Sequence, residues 1–445
     1  MTAFPKTSKN LSRRGFIGAS ALAPAALMLQ AGEAHAAAST RAQLAAVHSG
    51  SPAHQLLYKT DEFFIAHRGA GNISPEHTAY AYAESVRRGA LAVEISVRTT
   101  SDGQFVCMHD TNIKRTTGAS LDVRGHTLAE LRQYKVNMRK NLGEKTDLYN
   151  IPTLEEAIAA VDTVPAGGEY ASVGGKKVVL FLEAKDGPAQ AGLVKFITER
   201  GLQRRTVIKM YRDGSGGFKP TSRYLKLANS AGCATWCYFD GGDPIDKISA
   251  MARHENVDAI GVPYYEKPTG ASQGSMSEEN VRALTGLGKA VIVWEIHRRS
   301  AYEKYKALGV KGFMCPDPYW VIGDPFDSSV KIKTGQRPHG MLPADPSVAA
   351  NMPDLTGTAI VHNQRYDESV LLGPLANYTT REKYTLDFSM KWTGALPKQD
   401  GHYGYIAFGR EHDGAFGIGK KFAANQEDGT YVLAIRPNYR GNSVA

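Results

Sequence analysis

The chain has 445 residues, 42% of them hydrophobic and 22% charged, a balance that excludes wholesale disorder and a multi-span membrane protein and leaves room for two domains. The formal charge of +9 favours polyanionic partners such as phosphate polymers or anionic surfaces. Cys107, Cys233, Cys237 and Cys315 are too few for a disulfide scaffold.

The N-terminus reads as an export signal. In "SRRGFIGASALAPAALMLQ" the pair Arg13-Arg14 precedes a moderately apolar run, and Ala34 to Ala36 give the small residues a signal peptidase reads. The twin-arginine pair marks a Tat-type signal over residues 1–36, with export to a periplasmic or extracellular location and a mature chain from near Ala37. The signal carries a net +3, so about +6 stays with the mature chain. No later run of ~20 apolar residues follows, so no membrane-spanning segment is expected. Residues 37–60 read as an N-terminal segment.

Eight strand-like runs then alternate with amphipathic stretches: 63–67, 92–97, 178–185, 206–211, 235–239, 258–264, 291–296 and 311–315. This alternation implies a parallel sheet, and its count fits an α/β fold, a (β/α)₈ TIM barrel over 61–325. One piece interrupts it. Asp102-Gly103 between two β-prone runs signals a hairpin, which places position 94 roughly opposite His109, as cross-strand neighbours. An insertion after the second strand, about 111–177, follows, with a helix over 153–162. Cys233 and Cys237 stand close enough in sequence to bridge in an oxidising compartment. Past a linker at 326–353, four runs (358–363, 384–392, 403–409 and 430–437) predict a C-terminal all-β sandwich-like module over 354–445.

Barrels of this kind work at the C-terminal ends of their strands. There the chain places His67 and Arg68; Glu94 and, two residues on and so on the same face, Ser96; His109-Asp110; Glu183 and Lys185; Lys209 and Tyr211; Glu295 and His297. Two carboxylates can hold a hard divalent cation, Arg and Lys can stabilise phosphate charge, and two histidines can serve as base and acid. Each also has a plain structural reading: Glu94 as a buried partner of Arg68, Glu183 and Lys185 as a salt bridge.

As an ordered set, "HRG", "PEHT", "VEISVRTTSDGQFVCMHD" and "FLEAK" resemble the glycerophosphodiester phosphodiesterase family, over roughly residues 60–325. The resemblance implies metal-dependent hydrolysis of glycerophosphodiesters to glycerol 3-phosphate and an alcohol. It assigns His67 and His109 as the acid/base pair, Arg68 and Lys185 to phosphate, and Glu94 and Glu183 to Ca²⁺ or Mg²⁺, with Ser96 and Glu295 as further candidate ligands. Ser96 stands where the family has Asp, His77 where it has the Asn of its Pro-Glu-Asn-Thr motif, and His297 where Asn is usual. The expected partner is a small or polymeric glycerophosphodiester, with a wall glycan or teichoic-type polymer for the C-terminal module and no nucleic acid. A phosphatidylinositol-type phospholipase C or lysophospholipase D on the same barrel, or an inactive barrel that binds wall glycan, are the alternatives.

Overall fold

A computed structural model describes residues 50–71, 74–137, 148–167, 173–187, 189–265, 274–296, 299–316, 318, 321, 404–409 and 430–435. The export signal, the linker and His297 lie outside these residues.

Eight strands run parallel: β1 (Phe63–Ala66), β2 (Ala92–Thr99), β4 (Val179–Ala184), β5 (Thr206–Tyr211), β6 (Ala234–Tyr238), β7 (Ala259–Pro263), β8 (Ala290–Trp294) and β9 (Gly312–Cys315). β9 pairs back onto β1, Phe63 opposite Gly312, so the sheet closes into a (β/α)₈ barrel. Each of the eight predicted barrel strands is found within two residues of its expected ends. Each gap between them carries a helix, beginning with Ala79–Arg87 after β1. Its start is fixed by Thr78, whose hydroxyl accepts the Ala81 N–H at 3.1 Å.

The hairpin forms, but its register corrects the expectation. β3 (Phe105–Cys107) pairs antiparallel with β2, Val97 opposite Cys107 and Thr99 opposite Phe105. The ladder stops there, one residue out of phase with a Glu94–His109 pair. Glu94 instead stands beside Phe181 of β4 in the parallel sheet. The insertion folds over its own small core of Val106, Met108, Ile113, Val123, Leu131, Val136 and Ile151. Its predicted helix spans Leu154–Asp162 and starts in a capping box between Thr153 and Glu156.

Strand periodicity decides what lies inside. Val93, Ile95, Val97, Leu180, Leu182, Ile208 and Met210 pack outward against the helices. Phe63, Ile65, Ala92, Val179, Phe181, Val207, Ala234, Trp236, Ile292 and Met314 fill the lumen. Gly261 of β7 makes room for this packing, because a Cβ there would lie 2.6 Å from the Trp236 indole nitrogen. Pro52–His54 and Gln55–Lys59 add Ala53, Leu56 and Leu57 to the lumen cluster. This part of the N-terminal segment is therefore a plug of the barrel and not a leader to it. One step further along each strand, the inward positions become Glu94, Ser96, Glu183, Lys209 and Tyr238. The lumen thus changes from apolar to charged at the C-terminal mouth.

All four cysteines are buried thiols outside any disulfide. Cys237 lies within β6 and Cys233 directly before it; four residues of extended chain span about 13 Å, too far for a disulfide. Of the C-terminal runs, β10 (Gly404–Gly409) and β11 (Thr430–Ile435) form an antiparallel pair. The runs at 358–363 and 384–392 lie outside the described residues. Among the described residues no helix is long and apolar enough to cross a membrane.

Candidate active site

The turn after β1 sets the first corner. Arg68, Gly69 and Ala70 have φ of 54°, 75° and 61°. This left-handed run suits glycine, and a Cβ on Gly69 would meet that of Ala81 at 3.0 Å. The turn aims the Arg68 N–H at Glu94 Oε2, 3.1 Å away. His67 is buried, with Nε2 3.2 Å from Arg68 Nε and 3.9 Å from Glu94 Oε2. Its Nδ1 lies 3.3 Å from Glu295 Oε1.

Two buried carboxylates form the centre, each ion-paired with a lysine. Glu94 Oε1 accepts from Ser96 Oγ at 3.1 Å and from Lys209 Nζ at 3.0 Å. Glu183 Oε1 accepts from Tyr238 OH at 2.6 Å, and its Oε2 faces Lys209 Nζ at 2.9 Å and Lys185 Nζ at 3.0 Å. Burial alone would raise both carboxyls, but Lys209, together with Lys185 and the other groups around each carboxylate, outweighs it. Glu94 is held well below the carboxylate range and Glu183 at about 2. Burial likewise pulls on Lys209, and Glu183 and Glu94 outweigh it, keeping the ammonium above its ordinary value. All three groups therefore stay charged, and each meets the partner a buried charge requires.

His109 is positioned by its neighbour: Nδ1 lies 2.8 Å from Asp110 Oδ1. Burial lowers the imidazole's pKa, and the Asp110 hydrogen bond opposes this without cancelling it. Lys185, Arg68 and Glu94 all act on the same ring electrostatically. Asp110 in turn accepts from Arg115 Nε at 2.7 Å. Arg115 grips Glu76 with both terminal nitrogens, at 2.6 and 2.7 Å, and Glu76 reaches Arg68 NH1 at 3.4 Å. An ionic chain thus links Arg68 to His109.

The structure therefore brings His67, Arg68, Glu94, Ser96, Glu183, Lys185 and Glu295 into one mouth, with His109 in the same field. Sequence reasoning assigned no role to Glu76, Arg115, Lys209 or Tyr238. Two of them carried a signal, Glu76 within "PEHT" and Lys209 as a charge at the mouth end of a β-prone run. His77 is buried at φ 56°, a backbone state that asparagine tolerates better than most residues. Its Nδ1 lies 2.6 Å from Tyr82 OH, and burial pushes its pKa down to about 3.

The donor set does not fit a divalent cation. Ser96 donates its proton to Glu94 and offers only a neutral oxygen where the family has a carboxylate, and Glu295 Oε1 lies 3.3 Å from His67 Nδ1. The cation that the two glutamates share is the Lys209 ammonium. Among the described residues no three His, Cys, Asp or Glu side chains are placed to share an ion.

Comparison with known proteins places this barrel. The profile of the Glycerophosphoryl diester phosphodiesterase family matches residues 67–208. A glycerophosphodiester phosphodiesterase of Caldanaerobacter subterraneus is 25% identical over 264 residues, 58% of this chain and 95% of that protein. Human glycerophosphodiester phosphodiesterase 1 is 38% identical over 97 residues, 21% of this chain and 29% of that protein. Among solved structures, an Oleispira antarctica phosphodiesterase in complex with the product sn-glycerol-3-phosphate aligns at 20% identity and a TM-score of 0.46, over 58% of this chain and 95% of that one. Enzymes of this family generally use a divalent cation. The family profile and the near-full-length relatives meet on the barrel described above, and the chain belongs to the glycerophosphodiester phosphodiesterase family of enzymes.

Proposed function

We propose that this enzyme hydrolyses glycerophosphodiesters to glycerol 3-phosphate and an alcohol, with His67 and His109 moving the protons. The observation that carries the reading is that each imidazole has a carboxylate at Nδ1, Glu295 for His67 and Asp110 for His109, and that the charges of Arg68 and Glu94 reach both rings. A carboxylate at Nδ1 fixes the ring and leaves Nε2 as the working nitrogen.

Arg68 and Lys185 supply the positive charge that a phosphodiester and its more highly charged transition state require. One imidazole takes the proton of the nucleophile as its oxygen bonds to phosphorus. The other gives a proton to the alcohol oxygen as its bond to phosphorus breaks. The nucleophile is either the neighbouring glycerol hydroxyl, with water then opening the cyclic phosphate, or water directly; the net reaction consumes one water in both cases. The Ca²⁺ or Mg²⁺ implied by the resemblance finds no fitting donor set here, and no step is routed through it.

Phosphorus NMR of products from glycerophosphocholine, glycerophosphoethanolamine, glycerophosphoinositol, lysophosphatidylcholine and phosphatidylinositol tests the substrate class. Glycerol 3-phosphate from the first three supports the reading. Turnover of only the lipids moves the assignment to a lysophospholipase D or a phospholipase C. The reading includes export, supported by the Arg13-Arg14 pair and the Ala34 to Ala36 cleavage pattern. Wild-type protein exported and an Arg13→Lys, Arg14→Lys variant retained inside the cell would support it; retention of the wild type, or equal export of both, would contradict it.

A further inference from the structure

We propose that the Lys209 ammonium takes the cation's place in this active site, so that hydrolysis proceeds without a divalent metal. The inference rests on the hydrolytic reading above and concerns how that same site is charged.

Three observations meet. First, Lys209 Nζ bridges the two carboxylates that the resemblance assigns to metal, 3.0 Å from Glu94 Oε1 and 2.9 Å from Glu183 Oε2. A divalent ion would need the same lone pairs, and the ammonium would have to leave first. Second, the third carboxylate of the metal-binding pattern is Ser96, whose hydroxyl donates to Glu94 Oε1 at 3.1 Å. The two changes compensate in charge. Three carboxylates with a dication and Lys185 sum to zero, and two carboxylates with Lys209 and Lys185 also sum to zero. Swapping in a lysine for the dication without losing an acid would leave the pocket one positive charge short; losing the acid alone would leave it one positive charge in excess. Third, Lys209 cannot readily swing aside. Its side chain is 7% exposed, and the Trp236 and Tyr238 rings flank the ammonium at 5.6 and 5.3 Å. It reaches this place because β5 turns it inward next to the wholly apolar layer of Val207.

In this arrangement Lys209 is a positioning residue. It holds Glu94 against the Arg68 backbone N–H and Glu183 beside Lys185, and so fixes both ends of the phosphate-binding pair.

The test uses the full chain. Wild-type protein is stripped with EDTA and chelating resin, assayed for glycerol 3-phosphate release, and titrated with CaCl₂ and MgCl₂ by calorimetry. The expected result is turnover within about twofold of the untreated enzyme and no saturable binding below about 1 mM, the weak limit of carboxylate sites. Activity lost on stripping and restored by either ion overturns the proposal. So does a sub-millimolar site that Glu183→Gln removes. A second arm compares Lys209→Met with Ser96→Asp/Lys209→Met. The single variant should lose on the order of a hundredfold in kcat and gain nothing from metal. The double variant should recover at least about tenfold when Ca²⁺ or Mg²⁺ is added, a metal response that a merely structural lysine would not produce. Wild-type turnover in the single variant overturns the proposal. If these variants do not fold, the wild-type titration decides alone. It also decides if no glycerophosphodiester is turned over at all, an outcome that defeats the hydrolytic reading and leaves the charge assignment to be judged by binding.

Discussion

Replacing Asp110 by asparagine isolates what that carboxylate does for His109. Oδ1 lies 2.8 Å from His109 Nδ1, and Oδ2 accepts from Arg115 at 2.7 Å. Asparagine keeps the shape and removes the charge. A hydrogen bond with a charged partner contributes about 1.5–3 kcal/mol, equal to about 10–150-fold in rate if it is lost entirely in the transition state. The His109 and Asp110 side chains are 33% and 31% exposed, so water screens the pair and the lower end applies, about 10–30-fold in kcat. KM should change less, because Arg68 and Lys185 are untouched. The pH dependence has a fixed sign. Asp110 raises the His109 pKa against burial and the two nearby cations, so its removal lets that pKa fall further. If His109 takes a proton, the acidic limb of the kcat/KM profile moves to lower pH. If it gives one, the alkaline limb does. The limb set by His109 therefore moves down in both cases. Initial rates of glycerol 3-phosphate release from about pH 5 to 9, with thermal melts of both proteins, measure this. An unchanged kcat with an unshifted limb would refute the positioning role of Asp110.

Other expectations test separate parts of the structure. Leu57→Ala should lower unfolding stability by about 2–5 kcal/mol with kcat intact, measured by denaturant melts and steady-state kinetics, because Leu57 is 1% exposed and sits in the lumen plug far along the strands from the mouth. Burial would raise the Glu76 carboxyl, but Arg115 and Arg68 hold it down to about 2 from 4.5. Its contribution, on the order of 3 kcal/mol, should be full above pH 4.5 and fade as pH falls towards 2; acid melts of Glu76→Gln should lack that component. Arg115→Ala should cut kcat about tenfold by releasing Asp110 and Glu76 together, with an unaltered kcat arguing against the ionic chain. A chain ending near Asp327 should fold and turn over a small diester; an insoluble or inactive product would show that the C-terminal module completes the barrel.

The strands were legible because their residues carry the signal locally. Runs such as Ala92–Thr99 and Val179–Ala184 are apolar on the helix-facing side and change character on the other only near their ends. Glu94 and Glu183 stood out for the same reason, as charges where apolar residues were expected. What the sequence hid was partnership. Lys209 and Glu94 are 115 positions apart, and only barrel closure sets them face to face. The predicted Glu94–His109 pairing failed because the turn sets the register one residue away, with Val97 opposite Cys107 and the Met108 N–H on the Ser96 carbonyl at 3.0 Å. Ser96 entered as a further candidate ligand because it stands where the family has Asp; that its hydroxyl proton goes to Glu94 is a choice its position in the strand does not encode. The plug was missed because Leu56 and Leu57 form too short an apolar run to announce a buried turn.

The central claim is that two imidazoles at this barrel mouth hydrolyse a glycerophosphodiester. Glycerol 3-phosphate release from glycerophosphocholine, by wild-type protein and by His67→Ala and His109→Ala, measures it most directly. Steady release by the wild type is expected, with a kcat lower by at least about a hundredfold in each variant and melting temperatures that show both variants folded. Release by either folded variant at the wild-type rate, or no release by the wild type, would contradict it.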